Sequence, residues 1–492
     1  MPLGSFFDQI TLAIVLEAAY FITLVFVIVK VLHDTRSSVK ALAYILFIVL
    51  VPMVGIVFYF SFGINYRKRK LYSRKIVNDE TLRQAILARL NDYSKHVLHS
   101  GLMPPGHRKL ARFVHRSTNS PLTANNSATL LFNGEDKFPA LMAALKGATS
   151  HIHMEYYIFE NDGTGSSIAN ILMEKAQQGV EVRFLYDHFG SHGLQKSFIN
   201  RLEQAGVQTA PFYRIRWYAL ANRLNYRNHR KIVVVDGKTS FIGGINVSNK
   251  YRNDLTKNKL YWRDTHLMIE GLATVFLQYL FICDWNFCSK NKVHYERGYF
   301  PQDFDRKNIQ HEVVQVVPSG PDSKLPVIFY SIMEAIGSAR KRVYITSPYF
   351  IPGESLMDAL IIVAKSGLDV KLLVPGASDS KMVNAAARSY YTELLKHGVR
   401  IFTYKKGFVH AKTMTVDDGL AVVGSANMDY RSFDLNFEVN ALVYSTEITR
   451  QLVRAFEEDL SHSQEIDAQE WLNRPGHVHL WEKLVRLLSP FL

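Results

Sequence analysis

The chain has 492 residues, which exceeds the usual size of a single hydrophobic core and predicts more than one domain. A hydrophobic content of 48% excludes a disordered protein. The cysteines, Cys283 and Cys288, indicate neither a disulfide framework nor a zinc site, and they fit a reducing compartment. The net charge of +14 favours a phosphate-rich partner, either nucleic acid or an anionic membrane surface, and does not separate the two.

Two apolar segments near the N-terminus predict membrane-spanning helices. Residues 12–29 contain a single charge, Glu17, and residues 41–62 contain none, so each is long enough to cross a hydrocarbon core of ~30 Å. The short polar connector predicts an antiparallel hairpin. The first segment lacks the basic start and cleavage pattern of a signal peptide, so we interpret it as an anchor. Glu17 is either a functional carboxylate within the membrane or a side chain that reaches the interface.

A basic cluster follows the second apolar segment and is stronger than the charge of the connector. The cluster comprises Arg67, Lys68, Arg69, Lys70, Arg74 and Lys75. The positive-inside tendency therefore places the rest of the chain in the cytoplasm. We expect four regions: a transmembrane hairpin (1–66), a basic linker with a helix (67–106), a first lobe (107–300), and a second lobe with a C-terminal amphipathic helix (301–492).

The same order of strand, helix, strand and helix occurs twice in the remainder of the chain. The first series begins with the strand at residues 151–159, and the second begins at residues 343–350. This repetition predicts an α/β fold class, with two pseudo-symmetric sandwich lobes, each containing a largely parallel sheet, facing one cleft.

Each half contains the motif H-x-K-x4-D followed by G-[GS]-x-N, and the second copy lies 181 positions after the first. One copy alone is a weak signal, whereas two copies with the same trailing residues make chance a poor explanation. The motif residues are His229, Lys231, Asp236 and Asn246 in the first half, and His410, Lys412, Asp417 and Asn427 in the second.

The spacing within each motif indicates which side chains act together. Side chains alternate faces along a strand, so the His and Lys at i and i+2 point the same way. Each Asp has the opposite parity and lies beside a turn, which predicts a structural anchor. Each Asn amide can donate to a phosphate. Two candidate carboxylates, Asp264 and Glu438, follow the motifs and are expected to tune the histidines.

Two such sets across a cleft predict phosphodiester chemistry that requires no metal and no cofactor. One neutral histidine attacks phosphorus to form a phosphohistidine, and the protonated histidine donates to the leaving alkoxide. The roles reverse when an incoming alcohol attacks. The lysines stabilise negative charge on the phosphate oxygens.

The paired motifs resemble those of the phospholipase D superfamily. With the N-terminal hairpin, the strand beginning at His151, and the segments W-R-D-T-H at 262–266 and P-S-G-P-D at 318–322, essentially the whole chain is similar to bacterial cardiolipin synthases. This resemblance implies a multi-pass protein of the bacterial inner membrane that uses the anionic lipid phosphatidylglycerol. It implies transfer of a phosphatidyl group from one phosphatidylglycerol to another, with release of glycerol. It also implies that His229 is the nucleophile and His410 the acid, an order on which the near-symmetric motifs themselves are silent.

Three alternatives to lipid transfer were considered. Hydrolysis to phosphatidic acid differs only in the acceptor and is the main alternative. A nuclease suits the charge, but the two apolar segments and the lack of a stripe of interleaved arginine and aromatic residues argue against a nucleic-acid partner. A lipid-binding scaffold without activity does not explain two intact motifs. The sequence determines neither the head-group specificity nor the oligomeric state.

Overall fold

The computed structural model describes residues 3–35, 38–60, 80–104, 106–212, 226–255, 260–294, 297–300, 312–378 and 380–489. The basic cluster at residues 67–75 lies outside these ranges. The chain divides into two compact units, one formed by Met1–Tyr72 with Ile215–Asn225 and the other by Ser73–Arg214 with Tyr226–Leu492.

The first unit contains the apolar N-terminal helices α1 (Leu3–Asp34), α2 (Ser38–Leu50) and α3 (Pro52–Phe58). Within α1, Ile14–Asp34 is the one described helical segment that is long and apolar enough to cross a membrane. The second predicted span is divided at Val51, because Pro52 lacks the amide that would continue the helix and instead begins α3. Side chains of α1, including Val27 and Val31, pack against Ile48 and Tyr59 of the following helices.

The second unit begins with two helices and continues with two series of strands and helices. Its first part contains α4 (Glu80–His99), α5 (Arg108–Thr118), β1 (Leu122–Phe132), α6 (Asn133–Gly147), β2 (His151–Tyr156), α7 (Gly163–Gln177), β3 (Glu181–Asp187), α8 (Lys196–Gln204), β4 (Gln208–Phe212), β5 (Ile232–Val235), β6 (Thr239–Gly243), β7 (Tyr261–Arg263), β8 (Thr265–Glu270) and α9 (Leu272–Cys288). Its second part contains β9 (Glu312–Ser319), α10 (Val327–Gly337), β10 (Arg342–Thr346), β11 (Phe350–Ile351), α11 (Glu354–Lys365), β12 (Asp369–Pro375), α12 (Lys381–Lys396), β13 (Arg400–Tyr404), β14 (Gly407–Val409), β15 (Thr413–Val416), β16 (Leu420–Gly424), β17 (Met428–Asp429), α13 (Tyr430–Asp434), β18 (Glu438–Tyr444), α14 (Thr446–Ser461), β19 (Ser463–Glu465), α15 (Ala468–Leu472) and α16 (Gly476–Arg486).

A 15-stranded sheet runs through this unit in the order β19-β13-β12-β10-β15-β16-β18-β9-β1-β8-β6-β5-β2-β3-β4. Its central pair, β1 and β9, is antiparallel. Outward from this pair, β8, β6, β5, β2, β3 and β4 on one side correspond in order to β18, β16, β15, β10, β12 and β13 on the other. The two halves are therefore continuous through one sheet.

The prediction of a largely parallel sheet is wrong. Parallel pairing within this sheet is confined to β2–β3–β4 and β10–β12–β13. The motif strands β5 and β15 instead return at once as the antiparallel partners β6 and β16. A short turn that begins with an aspartate and contains a glycine links each pair, so neither connection has the length that a parallel crossover requires.

Helices cover the sheet and bury its apolar side chains in separate clusters. The cluster of the first half combines β2 and β3 with α6, α7 and α8, and the cluster of the second half combines β10 and β12 with α10, α11 and α12. A third cluster packs α9 and α14 onto strands of both halves, through residues such as Leu277 and Leu452. This shared core explains how two histidines from distant segments are held near one another.

The predicted C-terminal amphipathic helix corresponds to α16. One side of α16 packs on the body of the unit through buried Glu482 and Val485. Its Glu482 carboxylate accepts from Arg388 of α12 and from Arg474. Other apolar side chains of this segment are exposed, namely Leu480, Trp481, Leu484, Leu487 and Leu488.

Candidate active site

Backbone hydrogen bonds tie each motif histidine to the opposite half of the unit. The His229 amide donates to the carbonyl oxygen of Phe437 at 2.9 Å, and the His410 amide donates to that of Arg263 at 2.7 Å. The His410 contact continues the parallel pairing of β14 with β7. The His229 contact lies next to a parallel bridge between Asn228 and Phe437, which is the counterpart of that pairing in the other half. Each histidine is thereby placed beside the carboxylate of the other half.

The carboxylates are exchanged between the two halves. The Nδ1 atom of His229 lies 3.0 Å from Oε2 of Glu438, and Nδ1 of His410 lies 2.7 Å from Oδ2 of Asp264. Both candidate carboxylates thus reach a motif histidine, and each reaches the one from the opposite half. In the sequence, each carboxylate follows the motif of its own half, and this order does not predict the exchange.

This pairing selects the ring tautomer of both histidines. An ionised carboxylate can only accept a hydrogen bond, so each neutral ring carries its hydrogen on Nδ1, donates it to the carboxylate, and presents the lone pair of Nε2. No hydrogen bond joins Nε2 of His229 or His410 to another residue in the described ranges. A lone pair at Nε2 suits a ring that acts as a nucleophile or accepts a proton.

The charges of the site shift the pKa values of these groups. Burial lowers the pKa of His229, and Glu438 offsets part of this effect. Burial and Lys412 lower the pKa of His410 to about 3, against the opposing influence of Asp264. Burial raises the pKa of both carboxyls, but the neighbouring lysines and histidines outweigh it, so each pKa lies below its ordinary value. At neutral pH the empty site therefore holds neutral imidazoles and ionised carboxylates.

The two motif lysines lie immediately beside the histidines. The Nζ atom of Lys231 donates to the His229 carbonyl oxygen at 2.6 Å, and Nζ of Lys412 donates to that of His410 at 2.5 Å. Burial lowers the pKa of Lys231 to about 7; Glu438 opposes this shift and Lys412 reinforces it. An anion bound between the lysines would relieve their mutual repulsion.

The two motif asparagines line the same cavity, but their amides differ in surroundings. Nδ2 of Asn246 donates to the Tyr251 hydroxyl at 2.8 Å, and its Oδ1 accepts from the Ile158 amide at 3.2 Å. Within the described ranges, Oδ1 of Asn427 is buried and accepts no hydrogen bond. Asn246 is therefore held by its neighbours, whereas Asn427 has unused hydrogen-bonding capacity facing the cavity.

The two motif aspartates lie away from the histidines, at the start of neighbouring strands. Asp236 accepts from the amides of Thr149, Ser150 and His151 at 2.8 to 2.9 Å. Asp417 accepts from the amides of the equivalent residues 340–342. Both aspartates have a positive φ, 52° and 53°, which a following glycine turn accommodates. This geometry supports an anchoring role.

The second residue of the G-[GS]-x-N motif is Gly244 in the first half and Ser425 in the second, and the difference has a steric reason. A Cβ at Gly244 would lie 2.2 Å from Oδ1 of Asp264, so a side chain there would displace the carboxylate. The equivalent Ser425 instead donates its hydroxyl to Glu438. The longer glutamate side chain leaves room for a serine, and the shorter aspartate requires glycine.

A cavity of about 290 Å³ lies between the two histidines. Side chains from both halves line it: Tyr157, Ile158, Arg227, His229, Asn246, Lys250, Tyr251, Trp262, Tyr349, Ile351, Val383, His410, Asn427, Asp429, Arg431 and Asn436. Among the described residues, no group of three or more His, Cys, Asp or Glu side chains is arranged to hold a metal ion. The motif histidines and asparagines of both halves therefore face one cavity, and the motif lysines lie beside the histidines.

Sequence reasoning missed a buried lysine behind this site. Nζ of Lys137 donates to the carbonyl oxygens of Ile245 at 2.9 Å and Asn246 at 3.3 Å, and burial lowers its pKa well below the ordinary value. The available signal was its register on α6, where Lys137 shares the buried face with Phe138 and Leu141. It supports the backbone that carries Asn246.

A second missed group fixes the position of Glu438. Arg230 occupies the variable position of the first motif and points away from His229, because side chains alternate along the strand. Its Nε donates to the Glu438 carbonyl oxygen at 3.2 Å, and its guanidinium pairs with Asp284 of α9. Burial and the nearby Asp284 raise the pKa of Glu155 well above its ordinary value. The available signal was a further charged side chain between His229 and Lys231, immediately before the apolar strand β5.

Comparison with known proteins agrees with this geometry. The family model described as "Cardiolipin synthase, PLD-like domain" matches residues 141–270 and 332–460, and the model "Phospholipase_D-nuclease N-terminal" matches residues 18–63. The chain is 41% identical over 475 residues to a cardiolipin synthase of Geobacillus kaustophilus, covering 96% of this chain and 92% of that protein. This chain belongs to the cardiolipin synthase family.

Further relatives are consistent with membership of this family. The chain is 37% identical over 484 residues to the major cardiolipin synthase of Bacillus subtilis, covering 98% of this chain and 99% of that protein. A crystal structure of phosphatidylserine synthase from Haemophilus influenzae covers 78% of this chain and all of its own, with a TM-score of 0.59 and 15% identity. That likeness shows a common fold between this cardiolipin synthase family member and the solved protein.

Proposed function

We propose that the protein synthesises cardiolipin by transferring a phosphatidyl group from one phosphatidylglycerol to a second, with release of glycerol. The observation that carries this proposal is the pair of histidines that line one cavity, each oriented by a carboxylate of the opposite half. Such a pair suits an exchange of one alcohol for another at phosphorus. Relatives named cardiolipin synthase over nearly the full chain support this choice of acceptor.

The first step forms a phosphatidyl-enzyme. Nε2 of His229 attacks phosphorus while the bond from phosphorus to the oxygen of the head-group glycerol breaks. His410 gives its proton to this departing glycerol alkoxide. The bound phosphodiester is an anion and raises the pKa of His410, which is low in the empty site, so that this ring can carry the proton. Asp264 stabilises the resulting imidazolium.

The second step returns the enzyme to its starting state. The primary hydroxyl of the second phosphatidylglycerol gives its proton to His410, its oxygen attacks phosphorus, and the bond from phosphorus to Nε2 of His229 breaks. Lys231 and Lys412 stabilise the charge that develops on the non-bridging oxygens, and Asn427 offers its amide to the same oxygens. Glu438 holds His229 in the orientation required by both steps.

The two halves of the catalytic unit are proposed to act as pseudo-symmetric lobes, at residues 107–300 and 301–492. The repeated strand order, the equivalent histidine contacts and the exchanged carboxylates support this interpretation. Each lobe would supply one histidine, one lysine and one asparagine to the same phosphate.

The test of this function is the lipid product formed from phosphatidylglycerol alone by detergent-solubilised protein in the presence of a chelator. Formation of cardiolipin and glycerol in equal amounts is the expected result. Phosphatidic acid as the sole product would mean that water is the acceptor and that the protein is a phospholipase. Absence of any phosphatidyl transfer would overturn the proposal.

The N-terminal unit is proposed to form two membrane spans with the catalytic unit in the cytoplasm. The 32-residue helix α1, the exposed apolar side chains of α1 and α2, and the second apolar segment support this topology. In a background with Cys283 and Cys288 changed to serine, Thr35→Cys should react with a membrane-impermeant maleimide in intact cells. Ser100→Cys should react only after permeabilisation, and the reverse pattern would contradict the topology.

A further inference from the structure

The two halves differ at several positions around the cavity, although their motifs match. Arg227, two residues before His229, corresponds to Phe408 before His410. Asn436, two residues before Glu438, corresponds to Trp262 before Asp264. In addition, Arg431 lies 181 positions after Lys250, so these two also correspond. The end of the cavity beside His229 therefore carries two arginines and an acid, Asp429, in place of Ser248, where the other end is aromatic.

The aromatic end is filled by its own side chains. Phe408 and Trp262 are neighbours in the pairing of β14 with β7, and their ring centroids are 4.9 Å apart. Lys250 lies near Glu160, with 3.9 Å between their charged atoms, and over the rings of Tyr251 and Trp262. The charge at this end therefore already has partners.

Neither arginine at the other end forms an ion pair within 4 Å among the described residues, although the Asp187 carboxylate acts on Arg227 and the Asp429 carboxylate acts on Arg431. Arg227 is 4% exposed, and its guanidinium stacks over the Phe189 ring at 4.1 Å without a described hydrogen bond or ion pair. Arg431 is half-buried at the cavity wall, and within the described ranges its side chain forms no hydrogen bond or ion pair, although Asp429 is near enough to interact with its charge. The oxygens of Asp187 accept hydrogen bonds from backbone amides, among them those of Gly190 and Asn228, so the N–H donors of Arg227 remain available to an anion from outside the protein.

Polar groups next to the arginines extend this site. Asn228 and Phe437 form a parallel bridge. The residues just before them, Arg227 and Asn436, therefore correspond to Phe408 and Trp262, which pair in β14 and β7 of the other half. Oδ1 of Asn436 is buried and accepts no hydrogen bond within the described ranges. An oxygen of this kind can accept a bond from an alcohol hydroxyl. The site therefore combines two arginines that can donate hydrogen bonds to a phosphate with one amide oxygen that can accept a hydrogen bond from a hydroxyl.

We propose that Arg227 and Arg431 bind the phosphodiester of the acceptor lipid, next to the phosphate that reacts at the histidines. This inference rests on the proposed function, in which the donor lipid contains a single phosphate and that phosphate occupies the histidine site. The acceptor's own phosphate is separated from its attacking hydroxyl by one glycerol unit, so it must lie close by. Guanidinium groups recognise phosphate oxygens through paired N–H donors.

The binding of a second phosphate explains how an anionic lipid competes with smaller alcohols for the phosphatidyl-enzyme. Interactions made only with the acceptor lower the barrier of the second step and leave the first step unaffected. Loss of the arginines should therefore change which alcohol is used, whereas loss of a catalytic histidine should stop transfer to every alcohol.

In the experiment, the wild-type protein is incubated with phosphatidylglycerol, which serves as donor and as acceptor, and with 1-butanol as a competing neutral acceptor. The ratio of cardiolipin to phosphatidylbutanol is measured at acceptor concentrations below saturation. Arg431→Gln is expected to lower this ratio by about 10- to 100-fold while phosphatidylbutanol formation persists. Arg227→Lys, which retains the charge but not the planar fork, is expected to lower it less than Arg227→Gln does.

Exposed Arg112 of α5 provides the matched control, and Arg112→Gln should leave the ratio unchanged. An unchanged ratio in Arg431→Gln, or a parallel fall of both products in Arg431→Gln and Arg227→Lys, would overturn the inference. Failure of the proposed function is distinguishable, because the wild type would then make no cardiolipin even without butanol. Persistent phosphatidylbutanol formation also shows that a variant is folded and forms the phosphatidyl-enzyme.

Discussion

Replacement of His229 by alanine is expected to lower the rate of cardiolipin formation by on the order of 10⁴-fold, because no nucleophile then remains to form the phosphatidyl-enzyme. His410→Ala is expected to lower the rate with phosphatidylglycerol by on the order of 10²- to 10⁴-fold, because the glycerol alkoxide must leave without a proton. The measurement is the initial rate of cardiolipin formation in detergent micelles.

An activated donor separates the roles of the two histidines. Phosphatidyl-p-nitrophenol releases a phenolate that needs no proton, so His410→Ala should release nitrophenol in a rapid first turnover, whereas His229→Ala should not. His99→Ala, on the exposed surface of α4, serves as the control and should behave as the wild type. A rapid first turnover in His229→Ala and its absence in His410→Ala would show that the roles are reversed.

Replacement of either exchanged carboxylate by its amide is expected to lower cardiolipin formation by on the order of 10²- to 10⁴-fold. An amide does not stabilise the imidazolium, and it can favour the wrong ring tautomer. Asp264→Asn should impair His410, and Glu438→Gln should impair His229, because those are the pairs that the hydrogen bonds join. The activated donor should therefore rescue the first turnover of Asp264→Asn more than that of Glu438→Gln.

This pattern tests the exchange of carboxylates between the halves. If each carboxylate served the histidine of its own half, the activated donor would rescue Glu438→Gln instead. Glu447→Gln, which removes an exposed carboxylate of α14, is the matched control and should leave the rate unchanged.

A steric variant perturbs the same carboxylate without changing it. Gly244→Ala should reproduce the defect of Asp264→Asn, since the new Cβ would lie 2.2 Å from the Asp264 carboxylate. Gly147→Ala at the end of α6, where a Cβ meets nothing within 4 Å, is its control. An unimpaired Gly244→Ala enzyme would show that the position of Asp264 is not critical.

Several features of the site follow from short-range chemistry. His229 and Lys231 share a face because side chains alternate along any strand. Asp236 lies in a turn because a glycine follows it and because its carboxylate can accept from nearby amides. The length and composition of α1 likewise predicted an apolar helix.

Other features depend on which distant segments become neighbours. Glu438 lies 209 residues from His229, and Asp264 lies 146 residues from His410. No local pattern relates such positions, so only the antiparallel pairing of β1 with β9 and the contacts between the halves bring each carboxylate to its histidine.

The sequence by itself determined the duplicated motifs, the face shared by each histidine and lysine, and the chemistry that two imidazoles and two ammonium groups can perform. The tertiary structure decided the exchange of carboxylates, the burial of Lys137, the ion pair of Arg230 with Asp284, and the placement of two arginines at one end of the cavity. The physical reason is that hydrogen-bond partners and desolvation depend on packing between segments far apart in the chain, whereas strand alternation and turn chemistry act within a few residues.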